Sequence, residues 1–275
     1  MKKKIVAITG AGGFIGTALT HYLLERGYAV IGMARKKIQL SHADFRFLEY
    51  NLRDFNSFDE ILDSDIIIHC AFMPWTEENP DSDFVNEKAT MDLARLCEEK
   101  NKQFVFLSSF SAHEFANSHY GKHKFALENQ LKSKHLVIKP GLVTGTRGLF
   151  SRLNELVSEK SIIPIIGGGK QPLQLISVEE LCEAIHSALS KNLRGLYPVA
   201  SPKSITYLEL LEKLAEKKNR SPLFIFIPVF IAALLLKTFG KKMPFTEENL
   251  KGLLQLRSFN TESSLQELGI SIREI

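Results

Sequence analysis

The chain has 275 residues, of which 44% are hydrophobic, so it is long and apolar enough to bury a full core. Its net charge of +4, from 35 basic and 31 acidic residues, is too small an excess to favour a nucleic-acid partner. Cys70, Cys97 and Cys182 lie far apart in apolar surroundings, which indicates reduced thiols in the cytoplasm and favours neither disulfides nor a zinc site.

Short β-branched runs alternate with helix-length stretches through the first half of the chain. Strands are predicted at 5–9, 30–33, 45–48, 65–70, 104–108 and 136–139. Continuous apolar strands separated by helices are typical of a parallel sheet that is covered on both faces. Residues 1–145 are therefore predicted to form a doubly wound α/β domain.

The first predicted strand runs directly into a glycine-rich turn. The turn consists of Gly10, Ala11, Gly12, Gly13, Phe14, Ile15 and Gly16, and a helical pattern follows it at once. Glycines at this spacing allow a tight turn, a close approach of the backbone to a pyrophosphate, and close packing of helix on strand. The N-terminus of the helix then faces the phosphates. The turn therefore predicts a dinucleotide site more strongly than it predicts a structural loop.

The second predicted strand ends at Met33 and is followed by Ala34, Arg35 and Lys36. A dinucleotide-binding fold that selects NAD carries an acidic residue near this point, where it binds the ribose hydroxyls. No acidic residue is present here, and Arg35 can instead pair with a 2′-phosphate. The sequence therefore favours NADP(H). NAD(H), with Arg35 as an ordinary solvated residue, stays open as the alternative.

A helical segment beyond the fifth predicted strand carries Tyr120 and Lys124 one turn apart on the same face. A tyrosine with a pKa near 10 is a poor acid or base at neutral pH, and a cation one turn away favours its phenolate. We therefore expect Lys124 to lower the pKa of Tyr120. The alternative is a surface tyrosine on a lysine-rich helix.

Together these motifs resemble the short-chain dehydrogenase/reductase superfamily, and more closely its extended branch of nucleotide-sugar epimerases, dehydratases and reductases. The resemblance covers nearly the whole chain. Its further pieces are His69-Cys70-Ala71, Asn86 with Thr90, and the stretch from Lys139 to Gly145. The resemblance implies a Rossmann-type sheet, and a cofactor held by the glycine turn, Arg35, Ala71, Tyr120 and Lys124.

The resemblance also implies roles for three catalytic side chains. Tyr120 would exchange a proton with a substrate hydroxyl or carbonyl, and Lys124 would bind the nicotinamide ribose. A serine hydroxyl would hold the substrate oxygen. We assign this serine to Ser109, which lies 11 residues before Tyr120, while the spacing leaves Ser108 and Ser111 open.

The chain departs from the extended pattern at two points. Dehydratases of the family carry an acidic pair directly after the active-site hydroxyl, and Phe110-Ser111-Ala112 stands there instead. Dehydration is therefore the least favoured of the three family reactions. The stretch from Phe110 to His119 is also shorter than is usual in the family, which shortens one wall of the substrate site.

Residues 146–275 are predicted to form a smaller, mostly helical substrate lobe, with 174–200 returning to the sheet. Helices are predicted at 149–159, 178–190 and 207–218, and a strand at 196–199. The segment 223–236 is almost wholly apolar and has basic residues on both sides, but it is too short to cross a bilayer and contains Pro228. We expect a buried helix there, with a lid or dimer contact and a membrane-surface element as alternatives.

These observations predict an enzyme that moves hydride between NADP(H) or NAD(H) and a secondary alcohol or ketone, and they favour a nucleotide-linked sugar as the substrate. Epimerase and reductase both stay open, and the missing ribose-binding acid slightly favours a reductase. We expect no metal, because His113, His119 and His123 lack carboxylate or cysteine partners in the sequence. The rival hypothesis is a non-catalytic sensor of the cofactor's redox state, which would need neither Tyr120 nor Lys124. A homodimer is left open.

Overall fold

The computed structural model describes residues 3–54, 61–239 and 246–273. The strands are β1 (Ile5–Thr9), β2 (Ala29–Ala34), β3 (Phe45–Glu49), β4 (Ile66–His69), β5 (Gln103–Leu107), β6 (Leu136–Pro140), β7 (Leu142–Thr144), β8 (Ile162–Ile166), β9 (Pro172–Leu173), β10 (Leu175–Ser177), β11 (Gly195–Val199), β12 (Ile205–Thr206) and β13 (Leu223–Ile227). The helices are α1 (Phe14–Glu25), α2 (Ser82–Glu99), α3 (His119–Leu131), α4 (Gly148–Glu159), α5 (Val178–Ser190), α6 (Tyr207–Lys217), α7 (Val229–Phe239), α8 (Glu247–Leu254) and α9 (Glu262–Leu268).

Seven of the strands form one parallel sheet. Their order is β11-β6-β5-β4-β1-β2-β3, so the chain moves outward from β1 in one direction and then crosses back to build the other half. Ile8 on the central strand lies between Gly32 of β2 and Ile68 of β4. The predicted doubly wound Rossmann-type fold is confirmed. The carboxyl ends of β1 and β4 lie side by side at the point where the strand order reverses, which is where such folds bind ligands.

The core lies on both faces of this sheet, because alternate residues of each strand point to opposite sides. Ile8 and Ile68 pack on one face, against the apolar residues of α1 and α5. Ile67 and Phe104 pack on the other face, together with the apolar residues of α2 and α3. Strands covered on both faces read as continuous apolar runs, which is the pattern seen in the sequence.

Local capping fixes where the helices near the sheet begin. Ser118 precedes α3, and its hydroxyl accepts a 3.1 Å hydrogen bond from the backbone N–H of Gly121. Ser177 precedes α5 in a capping box, in which Ser177 Oγ accepts from the N–H of Glu180 and the Glu180 carboxylate accepts from the N–H of Ser177. Such caps satisfy backbone donors that have no partner inside the helix. The cap at Ser118 therefore sets the first turn of the helix that carries Tyr120.

The second lobe combines helices with three small sheets. β7 pairs with β10, β8 with β13, and β9 with β12, each as two strands. Its core includes Val157 of α4, Ile163 and Ile165 of β8, and Leu211 of α6. This cluster is separate from the two that cover the central sheet, so the lobe has its own core.

The apolar segment 223–236 does not form the buried helix that was expected. It is split at Pro228 into β13 and α7, and most of its large side chains face solvent. We call the exposed side chains of Leu223, Ile225, Phe226, Phe230, Ile231 and Leu234 the apolar tip. A continuous apolar run in a sequence predicts neither its secondary structure nor its burial, and the prediction of a buried helix was wrong for this reason. Among the helices described, none has the length and hydrophobicity needed to cross a membrane.

Candidate functional site

The glycine turn forms a tight backbone cradle between β1 and α1. Gly10 has a φ of 70°, and its carbonyl oxygen accepts a 2.9 Å hydrogen bond from the N–H of Gly13. A Cβ at Gly10 would lie 2.8 Å from the backbone nitrogen of Ala71, and a Cβ at Gly16 would overlap the Gly10 carbonyl. A Cβ at Gly12 would meet only Ala34, at 3.6 Å. The cradle fits a pyrophosphate, because the backbone closes tightly at Gly10 and Gly16 while the start of α1 stays accessible.

Neighbouring segments hold the cradle in place. The N–H of Ala71 donates a 3.2 Å hydrogen bond to Thr9 Oγ1, which brings Ala71 directly beside the turn. A Cβ at Gly145 would lie 2.6 Å from the ring of Phe14 and a Cβ at Gly148 would lie 3.1 Å from it, and both glycines have positive φ. Ile15 packs on the core of the sheet. The turn thus contacts both the next strand and the loop that leads into the second lobe.

Two basic side chains flank the turn. Arg35 follows β2 directly and is exposed at the same edge of the sheet, where the N–H of Ala11 donates to Met33 O. Arg147 Nη2 donates a 3.4 Å hydrogen bond to the carbonyl of Gly12. The sequence had singled out Arg35 but not Arg147, which reaches the turn from a position 135 residues away. A cation on each side suits an anionic ligand.

His69 anchors the strand end beneath the cradle. Its Nδ1 lies 2.7 Å from Thr9 Oγ1 and its Nε2 lies 3.1 Å from Thr90 Oγ1. Burial lowers the pKa of His69 to about 3, so the imidazole is neutral. The side chain is 1% exposed and satisfied on both nitrogens. His69 is therefore a packed residue at the end of its strand.

The loop after β4 is held by a side-chain amide. Asn86 Oδ1 accepts from the N–H of Met73 and its Nδ2 donates to Met73 O, both at 2.8 Å. This two-way pairing copies a backbone bridge and fixes the loop that carries Phe72. The ring of Phe72 packs edge-on against Tyr120, with centroids 4.9 Å apart.

Tyr120 and Lys124 lie on the first turns of α3, facing the sheet. Lys124 is 3% exposed, and its ammonium donates a 2.8 Å hydrogen bond to Leu107 O at the end of β5. The same nitrogen lies 4.4 Å from the ring centroid of Phe106 and 5.1 Å from that of Phe72. Burial lowers the pKa of Lys124 to about 7. The two aromatic faces and one carbonyl partly compensate the charged form.

The predicted effect of Lys124 on Tyr120 is not what the structure shows. Burial raises the pKa of Tyr120, and a hydrogen bond to the Ser109 side chain opposes that rise. Loss of solvation destabilises the phenolate, while the ammonium of Lys124 is directed at Leu107 O. The expectation of a lowered pKa was therefore wrong for this arrangement, and Tyr120 is a phenol at neutral pH.

The three candidate serines have different partners. Ser109 is the serine whose side chain lowers the pKa of Tyr120, and it also accepts a 3.2 Å hydrogen bond from the N–H of Ser111. Ser108 donates instead to Glu128 Oε2 at 2.9 Å. Ser109 is thus the serine that the structure brings to Tyr120.

A buried ion pair lies behind these groups. Lys139 Nζ lies 3.0 Å from Glu128 Oε1, and both side chains are 3% exposed. Glu128 belongs to α3, whereas Lys139 belongs to β6 and Ser108 follows β5. A paired and hydrogen-bonded carboxylate is the form in which a buried charge is tolerated. The pair fixes the helix that bears Tyr120 against the sheet.

An aromatic wall lies in front of α3. The rings of Trp75 and His119 are stacked with centroids 4.6 Å apart and planes 2° from parallel. His119 Nδ1 lies 3.4 Å and His123 Nδ1 lies 3.9 Å from the Asp83 carboxylate. α2 thus supplies Asp83 as an acidic neighbour of both histidines, from a distant part of the chain. Even so, no group of His, Cys, Asp and Glu in the described ranges is arranged to hold a metal ion.

The C-terminal segment closes the other side of the site. Gln174 Oε1 accepts from the N–H of Phe259 at 2.7 Å, and Gln174 Nε2 donates to Phe259 O at 3.0 Å. The Phe259 ring packs on Phe110, with centroids 4.6 Å apart, and lies 4.3 Å from Lys139 Nζ. His113 Nε2 lies 2.9 Å from Gln255 O. Sequence reasoning missed these contacts, since nothing local marks two residues 85 positions apart as partners.

Comparison with known families identifies the N-terminal part most clearly. The model of the NAD dependent epimerase/dehydratase family matches residues 6–199. That range includes the glycine turn, Ser109, Tyr120 and Lys124, and it ends with β11 at the edge of the central sheet.

Curated relatives are distant. The epimerase family protein YfhF of Bacillus subtilis is 24% identical, with 82% of this chain and 83% of that protein covered. The ceramide reductase of Caulobacter vibrioides is 23% identical, with 82% and 74% covered. An uncharacterized protein of Mycobacterium tuberculosis is 29% identical over 106 residues, which are 38% of this chain and only 12% of that much longer protein.

Solved structures share the fold over most of the chain. The UDP-glucose 4-epimerase of Thermotoga maritima, solved with UDP-glucose, superposes with a TM-score of 0.67 at 19% identity, covering 80% of this chain and 85% of that one. MoeE5 in complex with UDP-glucuronic acid and NAD gives a TM-score of 0.72 at 19% identity, covering 98% and 94%. At such identities the likeness concerns the fold alone.

Proposed function

The chain belongs to the NAD dependent epimerase/dehydratase family, and from this premise we propose that it transfers hydride between a nicotinamide cofactor and a secondary alcohol or ketone. The observation that carries the proposal is the contact of Ser109 with Tyr120, one helical turn from the buried Lys124. A surface tyrosine or a purely structural helix would have no use for this arrangement. A redox sensor would need the glycine cradle but not these three side chains.

The residues present would hold a dinucleotide as follows. The backbone of Gly12 and Gly13 and the N-terminus of α1 would take the pyrophosphate. Ala71, beside the cradle, would contact the cofactor's middle portion. When bound, the nicotinamide supplies the hydride acceptor or donor. We propose NADP(H) as the preferred form, because Arg35 stands exposed after β2 where an acid would select NAD(H).

The proposed proton transfer follows from the raised pKa of Tyr120. The raised pKa of Tyr120 keeps its hydroxyl protonated at neutral pH, so it suits proton donation to the oxygen of a carbonyl substrate. Ser109 would hold the same oxygen through its hydroxyl. Lys124, whose ammonium donates to Leu107 O, would bind the nicotinamide ribose, as the family resemblance implies. This direction of proton flow favours a reductase over an epimerase.

The proposed substrate is a carbonyl or hydroxyl group on a nucleotide-linked sugar. Support comes from the UDP-sugars in the structures of the Thermotoga epimerase and of MoeE5. A second candidate, a carbonyl carried by a lipid, is supported by the relationship to a ceramide reductase and by the exposed apolar tip. Dehydration stays the least favoured reaction, since Phe110 and Ser111 replace the acidic pair. The three free thiols support the cytoplasm as the proposed location.

Substitution of Tyr120 by Phe tests the proposal. We expect the variant to lose about 10²–10⁴-fold in kcat on whichever carbonyl the wild type reduces, while its dissociation constant for NADPH changes little. Ser109→Ala should show the same pattern, and the adjacent Ser108→Ala should lower stability while sparing kcat. Turnover would be followed by NADPH absorbance with UDP-sugars, their keto derivatives and long-chain 3-oxo compounds. Full activity of Tyr120→Phe would refute the proposed role of Tyr120, whereas cofactor binding without turnover of any of these compounds by the wild type would favour the sensor hypothesis.

Cofactor choice is tested separately at Arg35. Arg35→Asp should weaken NADPH binding and strengthen NADH binding, because the acid repels a 2′-phosphate and accepts from ribose hydroxyls. Lys37→Asp, a charge change two residues further along the exposed loop, is the matched control. An unchanged ratio of the two dissociation constants in Arg35→Asp would refute the NADP(H) assignment.

A further inference from the structure

The apolar tip is unusual because the described part of the fold leaves it uncovered. Phe230 is 72% exposed and Leu223 is 61% exposed, although both sit in regular secondary structure. β13 pairs with β8 on one edge only among the described strands. Large apolar patches of this kind on a folded protein mark a surface that contacts something else.

Among the described residues, α7 packs inside the protein through one of its sides. Ala232 and Leu236 are buried against Ile166 and Leu250. Val229, Phe230 and Ile231 follow one another at the start of the helix and are all exposed. Three consecutive exposed apolar residues point in directions about 100° apart, so the start of α7 is apolar around most of its circumference. A partner protein with a groove takes one stripe of a helix, whereas hydrocarbon accepts an apolar tip from every side.

The charge pattern around the tip selects the kind of partner. From Lys217 to Thr246 the sequence has six basic residues and no acidic residue. Lys217, Lys218 and Arg220 lie exposed just before β13, and Lys237 lies exposed near the end of α7. Apolar side chains bordered by cations match a membrane interface, where acyl chains lie beneath anionic headgroups.

The length of α7 limits how deeply it can enter a lipid bilayer. α7 has 11 residues, so it is about 16 Å long, roughly half the thickness of the hydrocarbon layer. It can therefore enter one leaflet but cannot span the bilayer. A surface-bound element needs no internal partner for its apolar residues, which agrees with their exposure.

We propose that the apolar tip docks this protein on the surface of an anionic lipid bilayer, with Phe226 and Phe230 inserted into one leaflet and the flanking cations at the headgroups. The docked element is connected to the candidate site. Leu250 of α8 packs on α7, and Glu248 of the same helix accepts a 2.7 Å hydrogen bond from the N–H of His119, the residue before Tyr120. Docking would thus hold the wall of the site close to the membrane, and it does not depend on the reaction proposed above.

Vesicle sedimentation with the full chain tests the docking. We expect the wild type to pellet with vesicles of phosphatidylcholine containing about 30% phosphatidylglycerol, and to pellet much less with phosphatidylcholine alone. Binding should fall at about 0.5 M salt, where charges are screened beyond a few ångströms. Phe230→Ser should bind about tenfold less tightly than the wild type.

The matched control is Phe84→Ser, since Phe84 is a phenylalanine of α2 that is 65% exposed but far from the tip in sequence. It should bind vesicles as the wild type does. Lys217→Gln with Lys218→Gln should weaken binding to the anionic vesicles only. Circular dichroism and thermal melting would verify that Phe230→Ser is folded.

Two results would overturn the proposal. One is wild-type protein that stays in the supernatant with anionic vesicles at low salt. The other is equal loss of vesicle binding in Phe84→Ser and Phe230→Ser. If sedimentation equilibrium instead shows a dimer that Phe230→Ser dissociates, with no vesicle binding, then the tip is an interface between two copies of this chain.

Discussion

The central sheet and the apolar tip are built from similar side chains and differ in exposure. β4 is buried at every position, whereas β13 exposes most of its length. β4 lies between β1 and β5, and apolar clusters cover both faces of the sheet. β13 pairs only with β8 in the described part of the chain. Whether an apolar strand becomes part of the core therefore depends on how many of its edges and faces are covered, and not on its hydrophobicity.

The largest expected effect comes from truncating the same residue type in both regions. Phe104→Ala, at a position that is 1% exposed in the sheet, should lower the free energy of unfolding by about 3–5 kcal/mol. Phe230→Ala should change it by no more than about 0.5 kcal/mol, because its ring already lies in solvent. Urea denaturation of both variants measures the difference. Equal losses would show that the tip is packed in solution and would break the comparison.

An added methyl group should change stability in opposite directions at the glycine cradle and in α8, and both changes should be smaller than the loss expected for Phe104→Ala. Gly16→Ala places a Cβ on the Gly10 carbonyl, so we expect a loss of about 1–3 kcal/mol in stability and weaker NADPH binding. A Cβ at Gly252 of α8 meets no described residue within 4 Å, so Gly252→Ala should stabilise the protein by about 0.5–1 kcal/mol through helix propensity. Thermal melting and cofactor titration give both numbers. Opposite signs are the expected outcome, and a neutral Gly16→Ala would contradict the tight cradle.

Burial in the sheet should also appear as a pH dependence. The pKa of His69 falls from 6.5 to about 3 on folding, so the unfolded chain binds the extra proton between those values. Above pH 6.5 the neutral His69 therefore costs the folded state nothing. As the pH falls from 6.5 toward 3, proton binding favours the unfolded chain, and the free energy of unfolding drops by at most about 1.4 kcal/mol per pH unit. Unfolding free energies at pH 7 and pH 5 should differ less in His69→Gln than in the wild type. The same change at exposed His21 should leave the wild-type difference intact.

The sequence predicted most of the sheet because its strands follow local rules. The runs at 5–9 and 136–139 and the helix at 178–190 match the observed elements closely, since each is bounded by glycine, proline or a capping serine. Ser109 could be proposed from its spacing to Tyr120. The choice between Ser109 and Ser108 depends on Glu128, because the Ser108 hydroxyl donates to that carboxylate. The direction of the Tyr120 pKa shift and the fate of 223–236 were missed. Both are set by tertiary surroundings that a linear pattern does not contain.

The pairing of Gln174 with Phe259 also bears on how the protein is made. Ribosomes extend a chain by roughly 5–20 residues per second, so residue 259 follows residue 145 by about ten seconds. The glycine cradle and Tyr120 are complete in the earlier stretch, while the Phe259 ring that packs on Phe110 arrives with the later one. During synthesis, the glycine cradle and Tyr120 are therefore made before the aromatic ring that packs on the neighbouring Phe110.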